Sequence, residues 1–156
     1  MKPTLAALAA LTLAACSGVP SSSQSIIARS LLNDTTIGSA NYPVVITGAE
    51  HTGLTPQTIA QNLRFPARLS AGSSFQAIKN DDPAFVNIAY LDIGANGSST
   101  LTFLHGDRRI GVGEFSLPLN AYANPQALGS TSASLISDML REARERSRGD
   151  GRRRRF

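Results

Sequence analysis

The sequence predicts an α+β fold: an antiparallel sheet of about four to five strands, ending in a three-stranded meander and covered on one face by a short helix and a C-terminal amphipathic helix. Three observations carry this expectation. Residues 85–117 read as three apolar strands separated by the turn dipeptides Asn96-Gly97 and Gly106-Asp107. Residues 54–63 carry the start signals of a helix. Leu135, Ile136, Met139, Leu140 and Ala143 then recur at helical spacing and form one stripe.

Taken in order, Ser25 to Asn33 (SIIARSLLN) places Ile26, Ile27, Leu31 and Leu32 on one helical face, which predicts a short helix packed on the domain. Tyr42 to Thr47 (YPVVIT) predicts a strand, with Pro43 at its start or on an edge because proline has no N–H to give the ladder. In Leu54-Thr55-Pro56, Thr55 caps the first amides, Pro56 stands where no N–H is needed, and Leu54 is placed to staple against Ile59. A helix over 56–64 follows, stopped by Pro66. Ser74 to Ile78 alternates as a strand, and residues 79–83 form a turn cluster.

Phe85 to Ile93 has two apolar faces, which predicts a central strand. Thr100 to His105 and Arg109 to Leu117 complete the meander, with Gly111 and Gly113 marking a bend or the close approach of another element. The last helix is expected over Ser132 to Arg146, capped by Ser130 or Thr131, with Glu142 four residues before Arg146. The chain has no internal repeat.

Charge is unevenly placed. Six basic and eight acidic residues lie between Cys16 and Leu140, whereas Arg141 to Phe156 holds eight arginines against Glu142, Glu145 and Asp150. A mildly acidic domain therefore carries a cationic end. Tryptophan is absent and aromatics are few, which argues against a stacking platform for single-stranded nucleic acid or carbohydrate, and sequence-specific nucleic-acid binding is not expected.

The N-terminus carries a different message. Lys2 precedes Leu5 to Ala15, an eleven-residue run with only Thr12 polar. Spanning a bilayer takes about 20 apolar residues, so this run has the length of a secretory h-region instead. It closes on Leu13-Ala14-Ala15-Cys16, the chain's one cysteine. This tetrapeptide resembles the lipobox of bacterial lipoprotein precursors. The resemblance covers residues 1 to about 20. It implies that the Cys16 thiol is alkylated with diacylglycerol, that the peptide is cleaved just before it, and that the new amine is acylated. Ser17, in place of an Asp retention signal, favours the periplasmic face of the outer membrane. The expected organisation is thus a signal peptide over 1–15, a lipid-anchored tether over 16–24, one domain over 25–146 and a disordered Arg-rich tail over 147–156.

Candidate chemistry is sparse. Glu50 and His51 lie in a loop before the capped helix and could supply a base, and His105 and Asp107 would join them only if two loops meet. No Gly-x-Ser-x-Gly elbow, calcium loop or zinc-ligand spacing is present, so no catalytic residue or metal site is assigned and no cofactor is expected beyond the lipid on Cys16. Arg148, Arg152, Arg153, Arg154 and Arg155 form a candidate anionic-surface site.

Three functional readings follow. The first is a non-catalytic, lipid-anchored envelope module that binds or scaffolds an envelope protein. Its contact surface would be the sheet face or edge left open by the C-terminal helix, with Pro43 guarding one edge. The second is an envelope hydrolase using the His51 loop. The third is an electrostatic tether, with lipid at one end and arginines at the other joining two surfaces such as a membrane and an anionic polymer.

Overall fold

The computed structural model describes residues 23–26, 41–69, 72–79 and 86–153, with side-chain surroundings for 41–69, 72–79 and 86–149. Cys16, Arg154 and Arg155 lie outside the described residues, as do 27–33 of the expected first helix and 80–83 of the expected turn. Among the described residues no helix is long and apolar enough to cross a membrane.

The fold is α+β. Its strands are β1 (Ser23–Ile26), β2 (Asn41–Thr47), β3 (Ser74–Ala77), β4 (Asn87–Ile93), β5 (Ser98–His105) and β6 (Arg108–Ser116). Its helices are α1 (Pro56–Asn62) and α2 (Pro125–Arg153), with short 3-10 turns at Ala49–Thr52 and Leu119–Ala123. The sheet order is β1-β6-β5-β4-β2-β3. The meander β4-β5-β6 is antiparallel as expected. β2, however, runs parallel to both β3 and β4, so the sheet is mixed. The crossover through α1 explains the β2–β3 pairing, because a chain that leaves one end of β2 and returns along a helix re-enters in the same direction.

Both meander turns form where the dipeptides stand. Gly106-Asp107 is a two-residue loop between His105 and Arg108, with Gly106 at φ 59°. The β4–β5 turn is wider, bridging Gly94 to Gly97, whose φ is 88°. A Cβ on Gly97 would also lie 2.0 Å from the Leu117 carbonyl oxygen, so this position needs glycine on two grounds. In β6 the register slips by one residue beside Phe103, leaving Ile110 as a bulge. Ile110 and Gly111 are consecutively buried as a result. Gly113 marks the close approach of α2: a Cβ there would fall 2.4 Å from the Leu135 side chain.

Both helices cover one sheet face. Thr55 Oγ1 accepts from the Thr58 amide at 3.2 Å, Pro56 opens α1, and Ile59 is fully buried. α1 ends at Asn62, two residues before the expected limit. α2 begins seven residues before the expected start. Asn124 Oδ1 accepts from the Gln126 amide at 2.9 Å and Pro125 occupies the first helical position, so Asn124 rather than Ser130 or Thr131 is the cap. The helix also continues past Arg146 to Arg153, where the sequence predicts a disordered tail from 147. Arginine is a good helix former, and the two glycines of this stretch, Gly149 and Gly151, cost about 1 kcal/mol each, which does not by itself end a helix already nucleated by its packed first half.

Two further expectations change. Ser25 and Ile26, expected in a helix, lie in β1, and β1 takes up Ser23 and Gln24 from the expected tether. Pairing with β6 supplies backbone partners that an isolated short helix lacks. Pro43 does not guard an edge, because β3 pairs along β2 on that side. Proline is tolerated there because the β2–β4 ladder starts only at Val44.

The core lies between the sheet and the helices. Tyr42, Leu91, Leu101, Phe103, Leu128, Leu135, Ile136 and Met139 are fully buried. Phe65 and Phe75 stack with centroids 4.6 Å apart, and Tyr42 meets Phe103 edge-on at 5.2 Å. At the other end of the sheet the Tyr122 hydroxyl donates to the Gly97 carbonyl at 3.0 Å and bonds Ser99 Oγ, while the Asn62 amide donates to the Tyr122 carbonyl at 3.0 Å.

Candidate functional site

The joint site of Glu50 and His51 with His105 and Asp107 does not assemble. Glu50 and His51 are exposed on the 3-10 turn that follows β2, at the sheet end where Thr47 pairs with Asp92. His105 pairs with Asn87 at the opposite end of β4, its Nδ1 2.6 Å from Asn87 Oδ1. The seven residues of β4 separate the two ends by about 20 Å at 3.3 Å each. His51 and Glu50 therefore face solvent without His105 or Asp107. Asp92 is accounted for by the Thr47 hydroxyl, which donates to its carboxylate. Among the described residues no group of three or more His, Cys, Asp or Glu could hold a metal ion.

The cationic end takes a definite place. Arg148 is exposed on α2, and the backbone of Arg152 and Arg153 continues the same helix. Arg141 pairs with Asp138 at 3.3 Å, one turn earlier.

A different site emerges beside α1. A cleft of about 940 Å³ opens between the end of α1, the chain that follows it, β3 and the first turns of α2. Its floor is apolar, with Leu63, Phe65 and Phe75 buried beneath it. Its rim is polar, with exposed Gln61, Arg64, Ser74, Gln126 and Ser130.

Arg64 is positioned by backbone contacts. Its amide donates to Ser132 Oγ at 2.9 Å, and that hydroxyl lies 3.1 Å from the Gly129 carbonyl. Gly129 completes the arrangement, since a Cβ there would stand 2.9 Å from Arg64 Cδ. Glycine inside a helix costs about 1 kcal/mol relative to alanine. Here it leaves the space in which the arginine lies across the helix.

The cleft also flanks a strand edge. β3 is the last strand in the sheet order, and Ser73, Ser74 and Phe75 line the cleft. The sequence-based expectation was a contact surface on a face or edge of the sheet left open by the C-terminal helix; among the described strands β3 ends the sheet order, and α1 packs against it. Arg64, Phe65, Phe75 and Gly129 did not stand out in the sequence, because they converge from three elements distant along the chain.

The two perturbed tyrosines are structural. Burial pushes the Tyr42 phenol well above its ordinary value, and its hydroxyl reaches the Leu104 carbonyl only at 3.5 Å. Burial likewise raises Tyr122, with the Ser99 hydrogen bond opposing the shift. Neither tyrosine lines the cleft.

An α+β module with an open cleft is the class that fold and site define. No family model matches the chain, and comparison with curated proteins and with solved structures finds no match.

Proposed function

We propose that this protein is a lipid-anchored bacterial envelope protein, held by Cys16 at the periplasmic face of the outer membrane, and that it acts as a non-catalytic binding module. Its cleft takes an extended segment of another envelope protein. The observation that carries this reading is the cleft itself: an apolar floor, a polar rim and, on one side, the strand that ends the described sheet. An extended peptide laid along β3 gains main-chain hydrogen bonds, and every second side chain turns toward the Phe65–Phe75 stack. A carboxylate on that segment would meet Arg64 in a two-pronged contact, which gives the binding direction as well as strength.

The test is photocrosslinking in intact cells from two positions. A photoreactive residue replacing Gln126, on the cleft rim, should give a discrete ultraviolet-dependent adduct that Arg64→Glu abolishes. The same residue at Glu114, exposed on the far sheet face, should give none. Adducts from Glu114 alone, or Gln126 adducts indifferent to Arg64→Glu, would contradict the proposal.

A further inference from the structure

α2 leaves the cleft region, passes Leu135 over Gly113 of β6, and packs against β1, the outermost strand on that side. The chain enters the sheet through that same strand, at Ser23. The tether side of the domain and the charged half of α2 therefore share one edge of the sheet. A bridge between two surfaces calls for these features on opposite sides. The opposite edge, at β3, is five strand spacings away, or about 24 Å.

We propose that the arginine-bearing end of α2 lies on the anionic headgroups of the same membrane that holds the lipid on Cys16. Residues 17–22 separate Cys16 from Ser23, and such a segment reaches at most about 24 Å when extended. Among the residues whose burial is described, Ala143 is the last buried one of α2, and the ten residues from there to Arg153 extend the helix by about 15 Å. The two lengths are commensurate, so a domain hung by its β1 edge brings the helix end to the headgroups. Beyond Ala143 the chain carries seven arginines against Glu145 and Asp150, which suits an anionic phospholipid surface. Lipid and cationic helix then act as two signals on one bilayer, fixing the orientation of the domain as well as its attachment. The cleft, beside β3, is turned away from that bilayer toward a partner.

The inference rests on lipidation of Cys16, so its test reads the two separately. Ser147 is exposed on α2, and in lipidated protein a Ser147→Cys thiol is the one free to take a fluorophore. The labelled protein, purified from its native host, is reconstituted into vesicles containing a headgroup-nitroxide lipid. The vesicles are of phosphatidylcholine alone or mixed with phosphatidylglycerol. Quenching should be at least about two-fold stronger with phosphatidylglycerol at low salt and should fall to the phosphatidylcholine level near 1 M NaCl, where the screening length is about 3 Å. Replacing Arg148, Arg152, Arg153, Arg154 and Arg155 by Gln, which leaves Arg144 and Arg146 balanced by Glu145 and Asp150, should also reduce it to that level. Equal quenching in both vesicles, or clustering of vesicles without quenching, would overturn the same-membrane contact while leaving the anchor intact. An intact mass showing an unmodified Cys16 would overturn both.

Discussion

Between Pro125 and Ala143, α2 buries Leu128, Leu135, Ile136, Met139, Leu140 and Ala143; between Arg144 and Ser147 and on to Gly149, no described side chain is fully buried. One helix thus has two environments. Its first half is held by contact with the sheet and by the Asn124 cap, and its second half is a charged extension that continues the same helix. The contrast teaches that regular secondary structure does not itself mark a structural role. Removing apolar groups from the first half should unfold the protein, whereas removing charge from the second should alter only what the protein touches.

Leu135→Ala gives the largest expected effect. The side chain is fully buried over Gly113, and loss of such a leucine costs about 2–5 kcal/mol, readable in urea or thermal unfolding. A loss below about 0.5 kcal/mol, typical of a surface change, would erase the distinction between the halves.

The next effect appears only in alkali. Tyr42 and Tyr122 have raised pKa values in the fold, so above about pH 10 the unfolded chain releases protons that the folded one retains, and stability falls as pH rises. Below that pH both states hold the proton and the contribution is fully present. Tyr42→Phe should flatten the alkaline decline in a denaturation series and leave neutral stability nearly unchanged, because its hydroxyl contact is long.

Asn124→Ala should cost about 1 kcal/mol through loss of the cap. Thr131 is fully buried, and its hydroxyl finds no partner among the described residues. Thr131→Val should therefore leave stability unchanged or raise it by up to about 1 kcal/mol, measured in the same unfolding series. Ending the chain after Ser147 should be the smallest perturbation, within about 0.5 kcal/mol by the same measurement, since Arg148 and Gly149 are exposed. A loss of several kcal/mol would make the charged half part of the core.

The local features of this fold are visible in the sequence. Thr55 and Pro56 announce α1, the two turn dipeptides place the meander, and Gly111 and Gly113 mark a bend or the close approach of another element. These signals act over a few residues, so the chain alone displays them. The start of α2 was obscured because Gln126 to Ser134 reads as small and polar, although Asn124-Pro125 is a recognisable cap and first-turn pair. β1 is only four residues long, and its conformation depends on β6, nearly ninety residues away. The parallel pairing of β2 likewise depends on strand order, which no local pattern encodes. The candidate site was the least legible part. Gly129 resembles any helix-weakening glycine until Arg64 is seen across it, and Phe65 and Phe75 resemble ordinary core residues until their stack is seen beneath an opening. Glu50 and His51 drew notice by chemical type, but the length of β4 keeps them from His105.

In the proposed arrangement an anchor at Cys16 would set which way the β1 edge and the cleft point, so the mass of the protein taken from its own membranes tests the account most directly. The account predicts a chain that starts at Cys16 and carries the added mass of a diacylglycerol thioether, with or without an acyl group on the new amine. A free thiol at Cys16, or a chain that retains residues 1–15, would contradict it.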